Sequence, residues 1–119
     1  MSTGRLSTHV LDTACGKPAT GMRVELHRIE HGVGKTKVAE ATTNADGRTD
    51  KPMLEGNAMT PGTYRLLFHV GDYFERTGSA DAKKFLDVIP ILFVIDDASA
   101  KYHVPLLVSP WAYSTYRGS

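Results

Sequence analysis

Cysteine is nearly absent from this chain of 119 residues, which contains only Cys15. A single thiol cannot form a disulfide within the chain, and one free thiol fits a reducing compartment. Residues 1–5 also contain no apolar region of the kind that begins a secretory leader. We therefore expect a cytoplasmic protein in which Cys15 is a free, inert thiol.

Long apolar runs and concentrated charge are also missing. The longest apolar stretch, residues 88–95, is too short to span a bilayer and contains Pro90. The formal net charge is +1, and the Lys and Arg residues are spread along the chain without a cluster interleaved with aromatics. These features predict no membrane span and no nucleic-acid partner.

Several motifs that would indicate a specific chemistry are absent. No Cys and His residues have the spacing of a zinc site, and there is no phosphate-binding loop. A Gly-x-Ser-x-Gly elbow is missing as well, so a serine-hydrolase triad has no support. The sequence predicts neither a metal nor a cofactor.

A succession of short strand patterns is what the chain does contain. Apolar and polar residues alternate between turn signals rich in Gly, Asn, Asp and Pro. Strands are predicted at residues 5–12, 22–29, 37–43, 63–70, 88–95, 102–108 and 112–117. A short helix is predicted at residues 72–77, with Asp72 as its N-cap and Gly78 as its stop. With 41% apolar residues, the pattern predicts one all-β domain over residues 1–119, a Greek-key β-sandwich, with a barrel as the alternative.

Two of the five histidines lie on strand faces that are neither plainly buried nor plainly exposed. His9 and His103 each alternate with the residues that face the predicted core. An apolar outward face of a sandwich usually meets another subunit, so hydrogen-bonded interface histidines and a catalytic pair both remain open. Of the others, we interpret His27 and His31 as solvated and His69 as a structural hydrogen-bonding residue.

The turn before Arg48 and the end of the chain complete the set of candidate residues. Asn44-Ala45-Asp46-Gly47 is a strong turn signal, and it places Arg48 at a defined corner. Residues 102–119 contain the only Trp and three of the five Tyr, although chain ends usually have polar composition. We therefore predict a packed end that holds the terminal groups in fixed positions.

Four segments of the chain are distinctive: Ser7-Thr-His-Val-Leu-Asp-Thr13, Thr43-Asn-Ala-Asp-Gly-Arg-Thr49, Tyr102-His-Val-Pro-Leu-Leu-Val-Ser-Pro110 and Tyr116-Arg-Gly-Ser119. Together they resemble the 5-hydroxyisourate hydrolase family, the transthyretin-related enzymes of urate breakdown. The resemblance covers nearly the whole chain, and the terminal tetrapeptide is its most specific mark, since hormone-carrying transthyretins lack it.

The resemblance implies a fold, an assembly and a reaction. The fold is a transthyretin-like (prealbumin-type) sandwich of two four-stranded sheets with one short helix. Four subunits would form a homotetramer, a dimer of dimers, around a channel lined by the faces of His9 and His103. The reaction is hydrolysis of 5-hydroxyisourate to 2-oxo-4-hydroxy-4-carboxy-5-ureidoimidazoline without a metal. Catalytic roles fall on His9, Arg48 and His103, and substrate binding on His9, Arg48, Tyr116 and Ser119.

Two other functions compete with this hydrolase. A transthyretin-like carrier of a small aromatic ligand would have the same fold, but it has no use for paired histidines where apolar residues would grip such a ligand better. A purely structural immunoglobulin-like domain would leave the aromatic end of the chain unexplained.

Overall fold

The computed structural model of the chain describes residues 3–31 and 34–118. Within these residues, nine strands and one α-helix follow each other, with a short 3-10 helix at Gly56–Ala58. The strands are β1 (Arg5–Asp12), β2 (Lys17–Pro18), β3 (Arg23–Glu30), β4 (Gly34–Thr42), β5 (Leu54–Glu55), β6 (Gly62–His69), β7 (Val88–Ile95), β8 (Lys101–Val108) and β9 (Tyr113–Thr115). The helix α1 spans Val70–Arg76, and no described helix is long and apolar enough to cross a membrane.

The strands form two separate sheets, which confirms the predicted all-β sandwich with one short helix and excludes the barrel. One sheet has the order β4-β3-β6-β7, and the other has the order β2-β1-β8-β9, with β5 also paired to β1. The second sheet therefore has five strands, not the predicted four. Its outer edge is divided, because β2 pairs with the end of β1 at Leu11 and β5 pairs with the start of β1 at Arg5.

The core lies between the two sheets and follows from the alternation along each strand. In β1 every second side chain is buried, and the same holds for the core-facing residues of β6. The largest fully buried side chains include Leu6, Val10, Leu26, Tyr64, Leu66, Phe68 and Leu106. The one hydroxyl in this row of β1, Thr8 Oγ1, donates to Val104 O at 2.7 Å, so its burial leaves no unpaired donor. The alternate residues of β1, including Ser7 and His9, consequently face away from the core.

The helix begins two residues earlier than predicted, at Val70, so Asp72 lies in its first turn instead of capping it. Strand β6 runs directly into α1, and the N-cap position falls on His69, whose side chain makes no capping bond. Apolar packing holds the helix instead, since Tyr73 and Phe74 are buried. The hydroxyl of Tyr73 also donates to Asp12 Oδ2 at 2.8 Å, which ties the helix to the end of β1.

The prediction that His27 is solvated is wrong. The bulge in the pairing of β3 with β4 lies in β4, and β3 pairs with β6 without a shift, so His27 stays on the outward side of its strand. There its Nε2 lies 3.5 Å from Glu25 Oε1, and its cross-strand neighbours Lys37 and Arg65 lie on either side of it. His27 is only 6% exposed, and its burial lowers the pKa of the imidazole. His31 is exposed as predicted, and His69 has the predicted structural role, because its Nε2 hydrogen-bonds Glu25 Oε2 at 2.5 Å.

The end of the chain is anchored through its backbone, whereas the prediction that its aromatic side chains are packed is wrong for a single chain. Trp111, Tyr113 and Tyr116 are 51%, 45% and 60% exposed, respectively. The regular strand β9 covers only three of the predicted residues 112–117. The backbone N–H of Gly118 nevertheless donates to His103 O at 2.7 Å, which keeps the last described residue on β8.

Candidate active site

Parallel pairing of β1 with β8 brings the two candidate histidines together. Ser7 lies opposite His103 and His9 lies opposite Pro105, so the histidines stand in neighbouring rows of one sheet face. Their ring centroids are 6.5 Å apart, with a tilt of 36° between the ring planes. Two residues that are 94 positions apart in sequence therefore form a pair on the outward face of the five-stranded sheet.

Two neighbours fix the position of the His103 ring. Ser7 Oγ lies 2.8 Å from His103 Nδ1, so a hydrogen bond orients the imidazole. On the other side, the chain end lies against the ring at Gly118. A Cβ added to Gly118 would stand 2.8 Å from His103 Cδ2, which makes glycine the residue that permits this close approach.

His103 is suited to accept a proton near neutral pH. Burial lowers the pKa of its imidazole, and the positive charges of Arg48 and His9 lower it further. A histidine with a reduced pKa is mostly uncharged at pH 7, the form in which it acts as a general base.

Arg48 reaches the histidine pair because a rigid turn is fastened to β1. The amide N–H of Asn44 donates to Arg48 O at 2.7 Å, and Asn44 Oδ1 accepts the N–H of Arg48 at 3.2 Å. The turn is attached to the strand by the N–H of Val10, which donates to Gly47 O at 2.8 Å. Arg48 forms an antiparallel bridge with His9, so the corner residue of the predicted turn adjoins the first histidine.

A concave pocket of about 510 Å³ opens beside Arg48 and His103. Arg48, Ser7 and His103 line it, whereas His9 stands in the next row and is not part of the lining. Four of the side chains around it are cationic and one, Asp50, is a carboxylate. The described residues that line it are Arg5, Ser7, Thr8, Arg48, Thr49, Asp50, Lys51, Pro52, Lys101, Tyr102 and His103.

Tyr116 lies on the same sheet face as the histidines by register. Thr115 pairs with Leu106 and Gly118 bridges to His103, so Tyr116 stands opposite Pro105, the partner of His9. It also borders a second, apolar pocket of about 240 Å³ beside β7. Ser119, the other predicted residue of the chain end, lies outside the described residues.

The sequence pattern did not single out Ser7 as a site residue, nor the cations Arg5, Lys51 and Lys101. Ser7 and Arg5 precede His9 at intervals of two, so their common face was visible in the sequence. Their position beside His103 depends on the pairing of β1 with β8, which no local pattern reports. Within residues 3–31 and 34–118, no group of three or more His, Cys, Asp or Glu is arranged to hold a metal ion.

Fold and site together define a class: a small two-sheet β-sandwich with a histidine pair, an arginine and a cationic pocket on one outward sheet face. The chain belongs to the HIUase/Transthyretin family, whose sequence model matches residues 6–118. It is 55% identical over 114 residues to the 5-hydroxyisourate hydrolase of Deinococcus radiodurans, covering 96% of this chain and 95% of that protein. It is 56% identical over 117 residues to the 5-hydroxyisourate hydrolase of Halalkalibacterium halodurans, covering 98% of both.

Solved structures share the fold. The Klebsiella pneumoniae 5-hydroxyisourate hydrolase matches with a TM-score of 0.79 and 36% identity, covering all of both chains. Sea bream transthyretin in complex with thyroxine matches with a TM-score of 0.86 and 25% identity, covering 96% of this chain and 94% of that one. A structure of (S)-allantoin synthase gives a TM-score of 0.90 at 47% identity, and the match covers 99% of this chain but only 44% of that longer chain. The predicted transthyretin-like fold is thereby confirmed.

Proposed function

We propose that this chain, as a single domain over residues 1–119, hydrolyses 5-hydroxyisourate in the breakdown of urate. The observation that carries the proposal is the pairing of His9 and His103 in neighbouring rows of one sheet face, with Arg48 bridged to His9. Relatives that match nearly the full length at 55% and 56% identity are named 5-hydroxyisourate hydrolases. The same reaction follows from the resemblance of the sequence motifs.

The chemistry begins with an attack of water on a ring amide. A neutral imidazole takes a proton from the water as its oxygen bonds to the carbonyl carbon. We assign this base to His103, because its lowered pKa keeps it uncharged and Ser7 orients its ring. The carbon–nitrogen bond then breaks, the nitrogen receives a proton, and the carbonyl carbon becomes a carboxylate.

The remaining residues stabilise and orient the reacting groups. The planar guanidinium of Arg48 can donate to the carbonyl oxygen and to the negative charge that develops on it. His9 would hold the attacking water or donate to the leaving nitrogen. Tyr116 and Ser119 would contact the substrate ring and fix its orientation.

We further propose that the active protein is a homotetramer, a dimer of dimers, in the cytoplasm. The exposed aromatic side chains support this assembly, because a subunit interface would bury them. Tyr116, for example, is 60% exposed on the face that carries the histidines. The exposed free thiol of Cys15 is compatible with a reducing compartment. Sedimentation equilibrium measures the mass of the assembly, and a monomer at the concentration of the activity assay would contradict the tetramer.

A carrier of a small aromatic ligand is the second candidate, and it is favoured by the likeness to a transthyretin in complex with thyroxine. The pocket beside His103 argues against a carrier, because four cations and several hydroxyl groups line it. A site for an aromatic ligand is lined mainly by apolar side chains.

The deciding experiment follows the ultraviolet absorbance of freshly made 5-hydroxyisourate. Wild-type protein should accelerate its decay, and His9→Ala or His103→Ala should lower kcat/KM by about 10²–10⁴. Arg48→Ala should lower it by about 10²–10³. His31→Ala is the matched control, since His31 is exposed and outside the site.

Decay at the buffer rate with wild-type protein, combined with tight binding of an aromatic ligand, would establish the carrier instead. Full activity in all three site variants would rule out the proposed residue roles. Thermal unfolding of each variant separates a loss of chemistry from a loss of fold.

A further inference from the structure

Three of the four cations around the pocket, Arg5, Lys51 and Lys101, have no role in the proposed chemistry. Arg5 and Lys101 are register partners on β1 and β8, one row beyond Ser7 and His103. Alternation along both strands places them on the same outward face as the two histidines. Arg48 and Lys51 approach the same pocket from the loop that follows the turn.

These four cations, here named the cationic rim (Arg5, Arg48, Lys51, Lys101), are little neutralised. None forms an ion pair with a carboxylate within residues 3–31 and 34–118. The carboxylates nearby are Asp50, which accepts the side-chain N–H of Asn44 at 2.9 Å, and Glu55, which lies opposite Arg5 in the β1–β5 pairing. Among the residues that the structure describes, the pocket lining thus carries four positive charges against one negative charge.

We propose that Arg5 and Lys101 select and draw in anionic planar heterocycles, so that the cationic rim determines substrate specificity by charge. This inference rests on the proposed function and deepens it. A cleft lined by charges of one sign raises the local concentration and association rate of an oppositely charged ligand. Urate-type rings are acidic at N–H groups next to carbonyls, and the hydrolysis creates a carboxylate. The rim therefore favours the ionised form of the substrate ring, because nearby positive charge lowers the pKa of such an N–H group, and it attracts the carboxylate of the product.

Arg5 and Lys101 act at a distance in this proposal and do not touch the reacting atoms. Their removal should therefore change kcat/KM much more than kcat, and the effect should disappear when salt screens the field. The Debye length is about 10 Å at 0.1 M salt and about 3 Å at 1 M salt, so the change is measurable over an accessible range.

The test compares Arg5→Gln/Lys101→Gln with the wild-type protein in the hydrolysis assay at increasing ionic strength. At about 0.01 M salt, kcat/KM of the double variant should fall by about tenfold, within the range known for charge-lined clefts. At about 1 M salt the two proteins should agree, because exposed charges are then screened. The matched control is Lys35→Gln/Lys84→Gln, which removes the same charge from exposed positions outside the pocket and should behave as wild type.

Equal kcat/KM of the rim variant and the control at every ionic strength would overturn the proposal. A loss that is the same at low and high salt would also overturn it, because such a loss indicates direct contact instead of a long-range field.

A second measurement keeps the rim and the proposed reaction separable. Titration calorimetry with urate, a stable planar anion, should show weaker binding to the rim variant than to the control at low salt and equal binding at high salt. The wild-type protein could fail to hydrolyse 5-hydroxyisourate and still bind urate more tightly than the rim variant at low salt. That result would contradict the proposed reaction and support the proposed role of the cationic rim. Equal binding of urate by both variants at low salt refutes the rim, whether or not hydrolysis occurs.

Discussion

In the proposed mechanism, the Ser7 hydroxyl determines which nitrogen of His103 faces the substrate. Ser7 Oγ forms a hydrogen bond with His103 Nδ1 at 2.8 Å. The other ring nitrogen, Nε2, has no hydrogen-bond partner among residues 3–31 and 34–118. If Nδ1 carries the proton and donates it to Ser7, Nε2 presents the lone pair that a general base requires. We therefore propose Ser7 as a positioning residue that acts through His103.

Replacing Ser7 tests this role. A hydrogen bond of this kind contributes about 0.5–1.5 kcal/mol, so Ser7→Ala should lower kcat/KM by up to about tenfold. Ser7→Thr keeps a hydroxyl and should retain most of the activity. If Ser7→Ala and Ser7→Thr are equally impaired, the hydroxyl does not orient the ring.

The pH profile tests His103 as the base. Since burial and the neighbouring positive charges lower the pKa of His103, activity should fall only on acidification below the ordinary histidine value of 6.5. Arg48→Gln removes one of those positive charges, so the acid limb of log kcat/KM should move to higher pH. A limb that stays in place would show that another group titrates.

Among the structural elements, the turn from Asn44 to Arg48 connects local sequence to the site. Gly47 has φ of 75°, a conformation that glycine adopts without strain. A Cβ at this position would lie 2.4 Å from Val10 O and 3.3 Å from His9 Cδ2. The turn therefore packs on the backbone of β1 so closely that only glycine fits, and this packing holds Arg48 beside His9.

Gly47→Ala should damage both stability and activity. Strain at a positive φ costs about 1–3 kcal/mol, and displacement of the turn should add a loss of turnover because Arg48 and His9 move apart. Gly16→Ala is the matched control: its φ is 72°, yet an added Cβ meets nothing within 4 Å. Denaturant unfolding and the absorbance assay should show that Gly16→Ala loses stability alone. Equal activity in both variants would contradict the role of the turn.

For the molecule as a whole, a second histidine with a lowered pKa, His27, lies in the four-stranded sheet, away from the site. His27 is buried on β3, and its Nε2 lies 3.5 Å from Glu25 Oε1. Its Nδ1 has no hydrogen-bond partner in the part of the chain that the structure describes. Burial lowers the pKa of His27, as it lowers the pKa of His103. Both histidines are therefore easier to protonate in the unfolded chain than in the folded one.

This difference predicts acid sensitivity of the fold. Below the unfolded histidine pKa of about 6.5, the unfolded state binds more protons, so the free energy of unfolding should decrease as the pH falls from there through the folded values. His27→Gln should remove part of this decrease while leaving activity at pH 7 intact. Unfolding by denaturant between pH 7 and 5 measures this decrease. If the free energy of unfolding depends on pH in His27→Gln as it does in the wild-type protein, other groups cause the acid sensitivity.

Local pattern was sufficient for much of the fold. The alternation in residues 5–12 and the apolar run in residues 88–95 predicted β1 and β7 with their observed bounds. Patterns failed where neighbouring strands decide burial. His27 is on the outward side of β3, as the alternation predicts, but it is buried between neighbouring strands at Lys37 and Arg65. The edge strands β2 and β5 are too short, at two residues each, to have a periodicity.

The sequence by itself determined which side chains share a face of β1, where the turn before Arg48 falls, and that a strand carries His103, because these properties depend on neighbours a few residues apart. Only the folded chain decided that β1 lies parallel to β8, so that Ser7 meets His103 and Arg5 meets Lys101. That register joins segments 96 residues apart, and it is selected by the packing of two whole sheets around one core, which no short stretch of sequence encodes.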